Sequence, residues 1–169
     1  MPEKLLTLRV VLGPQDDRFP AQAMKTFLSS VYTVKAESDR MGYRLDGPKL
    51  AHVNGANIIT DGIAFGAIQV PNDGKPIIMM ADRQCTGGYT KIASVITADL
   101  PLLAHCGAGA KVQFQSICIE QAQELLRAAR EGEQAFARQL QSEDPAATGS
   151  IVARMEYSYQ IQVEQEGAG

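Results

Sequence analysis

The chain lacks tryptophan and carries only five tyrosines, five phenylalanines and two histidines in 169 residues. Packing must therefore rest on aliphatic side chains more than on large aromatic ones. Cysteine is scarce as well: Cys85, Cys106 and Cys118 are odd in number and none stands at CxxC spacing. That pattern indicates neither a disulfide framework nor a zinc site, and a reducing cytoplasm suits it. No metal site is expected. Positive charge is not in excess, with 16 basic against 19 acidic residues and a net charge of -3. A mainly electrostatic nucleic-acid binder is thereby disfavoured. No apolar run approaches the roughly 18 residues that span a bilayer. The opening MPEKLLTLRVVLG has no small-residue cleavage site, so it does not read as a signal peptide. A cytoplasmic protein with no nucleic-acid or membrane partner is expected. What the chain has in quantity is turn formers, 15 glycines and 8 prolines, within an ordinary 45% hydrophobic and 21% charged composition.

Those turn formers organise the pattern. Leu6 to Val11 alternates like a strand and stops at Gly13-Pro14, and AQAMKTFLSS after Phe19-Pro20 spaces Ala23, Met24, Phe27 and Leu28 for a short helix. Val31 to Val34 is again rich in β-formers. From residue 38 to 104, short apolar runs alternate with turns at Asp46-Gly47-Pro48, Asn54-Gly55, Asp61-Gly62, Asn72-Asp73-Gly74 and Gly87-Gly88. Strands at such spacing favour a sandwich or barrel over βαβ units. Asp99 to Ala104 suits one helical turn capped by Asp99. Val112 to Ile119 predicts a strand, with Cys118 as a small buried hydrophobe. Residues 120–141 predict a helix weakened at Gly132, 142–150 a linker, and 151–163 an edge strand. His105 and Cys106 adjoin, but neighbours on a strand face opposite ways and do not form a nucleophile–base pair.

Two polar stretches interrupt this apolar setting: Ser38-Asp39-Arg40-Met41-Gly42-Tyr43-Arg44-Leu45 and Asp82-Arg83-Gln84-Cys85-Thr86-Gly87-Gly88-Tyr89-Thr90-Lys91. Each begins with an Asp-Arg pair and contains a Gly-Tyr dipeptide. The second follows a predicted buried strand, where small-molecule sites usually form. Gly87-Gly88 suits a nest of backbone N–H groups around an anion, and Arg40, Arg83 and Lys91 suit carboxylate or phosphate. An Asp-Arg pair equally suits an ion pair that pins a loop. Gly107-Ala108-Gly109-Ala110-Lys111 lacks P-loop spacing and reads as a turn, and His52 reads as a surface or supporting residue.

SDRMGYRLDG, followed by ITDGIAFGAIQVPNDGKPIIMMADRQCTGGYTKIASVITADLPLLAH, resembles the allophanate hydrolase subunit 2 family. That family includes the C subunit of 5-oxoprolinase, a related antagonist of a sporulation regulator, and the carboxyltransferase part of urea carboxylase. Gly13-Pro14-Gln15-Asp16-Asp17 and Phe27-Leu28-Ser29-Ser30 also fit it. The likeness runs from about residue 9 to about 126 and implies a cyclophilin-like β-barrel. With the residue pattern, the expected fold is mainly β, a barrel lobe over 1–126 with short flanking helices and a C-terminal helix, then a helix, linker and strand or tail over 127–169, for which the family offers no counterpart. Family members are about twice as long, so the chain resembles their C-terminal lobe alone. Cys85 stands where threonine is usual, and Thr90 where proline is usual.

The resemblance implies a subunit or domain of a multi-component amide-processing enzyme, either a biotin-dependent carboxyltransferase or an ATP-dependent 5-oxoprolinase. Asp82 and Lys91 are then the catalytic candidates. Arg40, Tyr43, Arg83, Gln84, Gly87, Gly88 and Tyr89 are the substrate- or anion-binding ones. No biotin-carrier motif and no P-loop is present, so no cofactor is expected on this chain alone, and ATP or carboxybiotin would come through partner subunits. A homologous subunit 1 protein, a further catalytic subunit and a small amide, urea or lactam are the implied partners. The alternative is a non-catalytic regulatory or binding module that pairs with a homologous subunit.

Overall fold

The computed structural model describes residues 5–141. Period-two alternation shapes its first strand, β1 (Leu5–Leu12), which buries Leu8 and Val10 and turns Arg9 outward. After a 3-10 turn at Asp16–Arg18 come α1 (Ala21–Ser29), β2 (Tyr32–Val34), β3 (Gly42–Asp46), β4 (Asn57–Gly62), β5 (Ala67–Gln69) and β6 (Ile77–Met79). Then follow β7 (Thr86–Tyr89), β8 (Lys91–Val95), α2 (Leu100–Ala104), β9 (Lys111–Ser116) and α3 (Ile119–Gln141). The described residues fall into two units that divide between Leu126 and Arg127. The expected linker at 142–150 and edge strand at 151–163 lie outside the described residues.

Seven strands close into a barrel in the order β1-β8-β5-β6-β3-β2-β9. The closing pair, β1 with β9, is parallel, with Leu8 opposite Phe114, and the other barrel pairs are antiparallel. Closure leaves no barrel edge for a foreign strand to extend. The fold is therefore mainly β with short helices and a C-terminal helix, as expected. The interior is aliphatic, filled by Leu8, Val10, Leu45, Ile68, Ile78, Ile92 and Val112. Three of the scarce aromatics cluster: Phe27 of α1 stacks on Phe114 with centroids 4.4 Å apart, and Tyr32 lies 5.7 Å from the same ring. The Tyr32 hydroxyl is buried with no partner among the described residues, and burial pushes its pKa up to about 12.

β4 and β7 stand apart as a two-stranded ribbon. Here the sequence expectation fails at two of its turns. Asp61-Gly62 and Gly87-Gly88 are strand residues paired with each other, Asp61 opposite Gly87 and Gly62 opposite Thr86. Gly74, by contrast, is a true turn glycine: its φ is +76° and a Cβ there would meet the Leu50 carbonyl at 2.9 Å.

Three further expectations are corrected. The Asp99 side chain does not cap α2; it accepts the Arg9 backbone N–H at 2.7 Å, Nε at 3.1 Å and Nη2 at 2.5 Å. A nearly inaccessible carboxylate gains more from a charge-assisted fork than from a single cap bond. Cys118 is exposed, because β9 ends at Ser116 and the chain turns outward into α3. There Gln121 Oε1 accepts the Cys118 N–H at 3.1 Å, one arm of a capping box. His105 and Cys106 sit at the end of α2, not on a strand, and bond separate carbonyls: His105 Nδ1 to Pro101 at 2.6 Å, Cys106 Sγ to Leu102 at 3.5 Å. α3 itself runs through Gly132 without interruption.

Candidate functional site

Lys91 opens β8 and its side chain is only 3% exposed. An ammonium taken out of water needs a counter-charge and hydrogen-bond acceptors. Its Nζ donates to Asp61 Oδ2 at 2.7 Å and to the Gly62 carbonyl at 3.0 Å. Asp61, at the end of β4, remains 51% exposed, so the pair joins an enclosed cation to a wetted anion. The Asp61 Oδ1 accepts the Gly62 N–H at 2.7 Å, and Gln15 Nε2 donates to Oδ2 at 3.2 Å. These contacts, the Lys91 hydrogen bond foremost, hold the Asp61 carboxyl below its ordinary range.

Gln69 is buried directly across the ladder from Lys91, where the β5–β8 register shifts. Its amide lies against the ribbon at Gly87. A Cβ on Gly87 would come within 3.0 Å of Gln69 Nε2 and 2.7 Å of Ile63 Cδ1, so glycine lets the ribbon lie this close without displacing those side-chain ends. Gln69 Nε2 reaches the Tyr89 carbonyl only at 3.5 Å, a weak bond. Thr90 donates its backbone N–H to Ala56 at 2.9 Å, a bond that proline is unable to make. Its buried hydroxyl has no partner among the described residues.

The two sequence motifs come together differently from their spelling. The Asp-Arg dipeptides do not pair internally. Arg40 crosses to Asp82, with Nε to Oδ2 at 2.7 Å and Nη2 to Oδ1 at 3.2 Å. Their side chains are 81% and 52% exposed. Asp39 instead accepts the N–H groups of Met41 at 2.8 Å and Gly42 at 3.1 Å. Arg83 donates Nε to the Ile63 carbonyl at 3.0 Å and lies over Phe65, 5.6 Å from the ring centroid. Tyr43 is half-buried on β3, whereas Gln84 and Tyr89 are exposed. Gly87 and Gly88 are extended with no positive φ, so they do not form the nest expected of them. His52 is half-buried; its Nε2 donates to the Val70 carbonyl at 3.1 Å, and burial lowers its pKa.

The carboxylate that Lys91 holds is therefore Asp61, while Asp82 is held by Arg40. Asp61, Gln15 and Gln69 are the contacts that the local pattern did not reveal. They lie 30, 76 and 22 positions from Lys91, and no short-range spacing marks them. The signal available was indirect: Asp61-Gly62 ends an apolar run, and a glycine pair elsewhere offers it a close-packing partner. Among the described residues no group of three or more His, Cys, Asp or Glu is arranged to hold a metal ion, and no helix is long and apolar enough to cross a membrane. A separate open groove of about 230 Å³, lined by Val11, Phe65, Ile96, Ile119 and Leu126 among others, contains no charged side chain.

Barrel, ribbon and enclosed lysine together define a β-barrel domain with a polar site where the ribbon meets the barrel. Residues 2–116 match the family described as carboxyltransferase domain, subdomain A and B, and the chain belongs to that family. It is 38% identical over 120 residues to the C subunit of 5-oxoprolinase from Haemophilus influenzae, covering 71% of this chain and 39% of that protein. It is 35% identical over 133 residues to the corresponding Escherichia coli protein, covering 79% and 42%. The crystal structure of the Kluyveromyces lactis urea carboxylase matches with a TM-score of 0.73 at 25% identity, over 78% of this chain and 13% of that one. The chain thus spans about two fifths of the length of the two bacterial relatives.

Proposed function

We propose that the chain serves as one subunit of a multi-component enzyme acting on a small amide, urea or lactam, with Lys91 and Asp61 as its charged centre. The observation that carries this reading is the enclosed Lys91 ammonium, held by Asp61 at 2.7 Å beside the Gly87-Gly88 ribbon. The likeness to the C subunit of 5-oxoprolinase supports the substrate class. Lysine has three N–H donors, and two are committed to Asp61 and Gly62. The third is assigned to the substrate carbonyl, whose oxygen gains negative charge when the amide is attacked or its nitrogen is deprotonated. A fixed cation shielded from water stabilises that charge more strongly than one in solvent. Asp61, held ionised at neutral pH, accepts the substrate N–H and orients it. Tyr89, on the ribbon strand β7, supplies an exposed polar side chain beside this centre.

A single enclosed ammonium fits a carboxylate, whereas an extended Gly87-Gly88 does not cradle a triphosphate. ATP therefore finds no matching site among these residues and belongs with a partner subunit. Carboxybiotin, where a partner supplies it, would bring an activated carboxyl group; the remaining Lys91 N–H is then assigned to that carboxylate in place of the substrate carbonyl.

Affinity purification of the full native chain, with its co-purifying proteins identified, tests the assembly. The recovered complex is then assayed for 5-oxoproline-dependent ATP hydrolysis and for biotin-dependent urea carboxylation. Lys91→Gln is expected to lower turnover by about 100-fold or more with assembly intact. Unchanged turnover with lost assembly would instead establish a non-catalytic binding module.

A further inference from the structure

Gln15 lies just after β1, where the chain leaves the barrel wall, and it grips residue 91 twice. Its backbone N–H donates to the Lys91 carbonyl at 3.1 Å, and its side-chain Oε1 accepts the Lys91 N–H at 3.0 Å. Gly13 extends the clasp by donating to the Ile92 carbonyl at 3.0 Å. The far end of the same amide, Nε2, donates to Asp61 Oδ2 at 3.2 Å, the oxygen that also takes the Lys91 ammonium at 2.7 Å. One side chain thereby links three segments distant in sequence: the start of β8, the end of ribbon strand β4 and the loop after β1.

The geometry points to Gln15 as the positioning residue of the Lys91–Asp61 pair. This role rests on the reading of that pair as the site's charged centre. Its chemistry is restrictive. The end facing the Lys91 N–H must accept, and the end facing the Asp61 carboxylate must donate. A primary amide of this length does both. Glutamate would keep the acceptor but place a second negative charge against Asp61, and methionine would fill similar volume with neither bond. By occupying part of Oδ2 and fixing the backbone of residue 91, Gln15 sets the direction from which Lys91 Nζ approaches. The remaining ammonium N–H is then aimed, not free to rotate. Gln15 touches no reacting atom in this arrangement; it acts through Lys91 and Asp61.

The test uses the folded full chain and two variants, Gln15→Met and Gln15→Glu. Carbon-13 NMR titration follows the Asp61 carboxyl, assigned by Asp61→Asn, and amide hydrogen exchange follows the Lys91 N–H. The donation from Gln15 is one of the contacts holding the Asp61 carboxyl low, so its midpoint is expected to rise in Gln15→Met. It should rise further in Gln15→Glu, where like charges meet. Lys91 amide exchange should accelerate by about tenfold in Gln15→Met, as expected for one lost hydrogen bond. It should stay slow in Gln15→Glu, which keeps the acceptor. This split between the two variants is what a packing role does not produce. An unmoved Asp61 midpoint in both variants overturns the proposal. So does uniform acceleration of the barrel amides, such as Val95 and Met80, or unfolding of both variants. Neither readout needs turnover, so a chain shown to be non-catalytic leaves them intact. Turnover that depends on Lys91 beside an unmoved Asp61 midpoint defeats the role of Gln15 alone.

Discussion

Arg40 meets Asp82 and Lys91 meets Asp61 at the same 2.7 Å, yet the two ion pairs are physically different objects. In the first, both partners stand in water, where charge attraction is weak, screened by salt and offset by the entropy of ordering two side chains. In the second, the cation is enclosed by the barrel and ribbon, and only its partner is wet. Removing one member of the first pair leaves the other hydrated. Removing Asp61 from the second leaves the enclosed Lys91 ammonium without its counter-charge. The motif most visible in the sequence, a repeated Asp-Arg, builds the weaker pair. Enclosure, not motif prominence, separates a loop tie from a candidate site.

The largest expected difference is in stability. Lys91→Ala should destabilise the barrel by about 3 kcal/mol, through the cavity left by a long enclosed side chain. Arg40→Ala should leave the urea midpoint almost unmoved. Equal shifts for the two variants would abolish the distinction between the pairs.

A smaller effect should distinguish the two adjacent ribbon glycines. Gly87→Ala places a methyl 2.7 Å from Ile63 Cδ1 and 3.0 Å from Gln69 Nε2, two side-chain ends that must shift, and should cost about 1 kcal/mol as an overpacked contact. At Gly88 the nearest atom to such a methyl is the Ile58 carbonyl oxygen at 3.5 Å, so Gly88→Ala should stay within about 0.5 kcal/mol of the parent. Thermal unfolding of both variants measures this. A Gly87→Ala protein as stable as the parent would show that the ends of Ile63 and Gln69 yield without cost.

Acid and salt offer the finest discrimination. Asp61 and Asp82 both titrate below the ordinary carboxylate range, each chiefly through the hydrogen bond from its cation. A carboxyl depressed in the folded state contributes stability that is present above its unfolded pKa of about 3.9. That contribution is lost as pH falls through the lower folded value. Both pairs should therefore weaken below about pH 4. Raising salt to about 1 M should weaken Arg40–Asp82 and spare most of Lys91–Asp61, since only the exposed pair is well screened. Double-mutant cycles at low and high salt read the difference; an identical salt response would erase it.

Much of the barrel was legible because its cues are local. Glycine and proline punctuate short apolar strands, α1 shows its buried Ala23 and Phe27 four residues apart, and α3 is a run of strong helix formers. Legibility failed where a local cue serves a distant purpose. Asp61-Gly62 and Gly87-Gly88 look like turns because glycine is common in turns, but here they are paired strand residues, and at Gly87 the missing side chain permits close approach to Ile63 and Gln69. Cys118 follows an apolar strand yet lies past its end. Asp99 stands where caps stand, but Arg9, 90 positions away, offers its carboxylate three bonds in place of one.

By itself the sequence determined the mainly β character, the order of most elements, the C-terminal helix and the membership announced by its long polar motifs. Each of these follows from residue preferences and spacings that act over a few positions. The tertiary structure alone decided that Lys91 is enclosed, that Asp61 and not Asp82 is its counter-ion, and that Gln15 connects them. Those facts depend on barrel closure, which brings β8, the ribbon and the loop after β1 within hydrogen-bond reach, and on the burial that makes an unpaired ammonium costly.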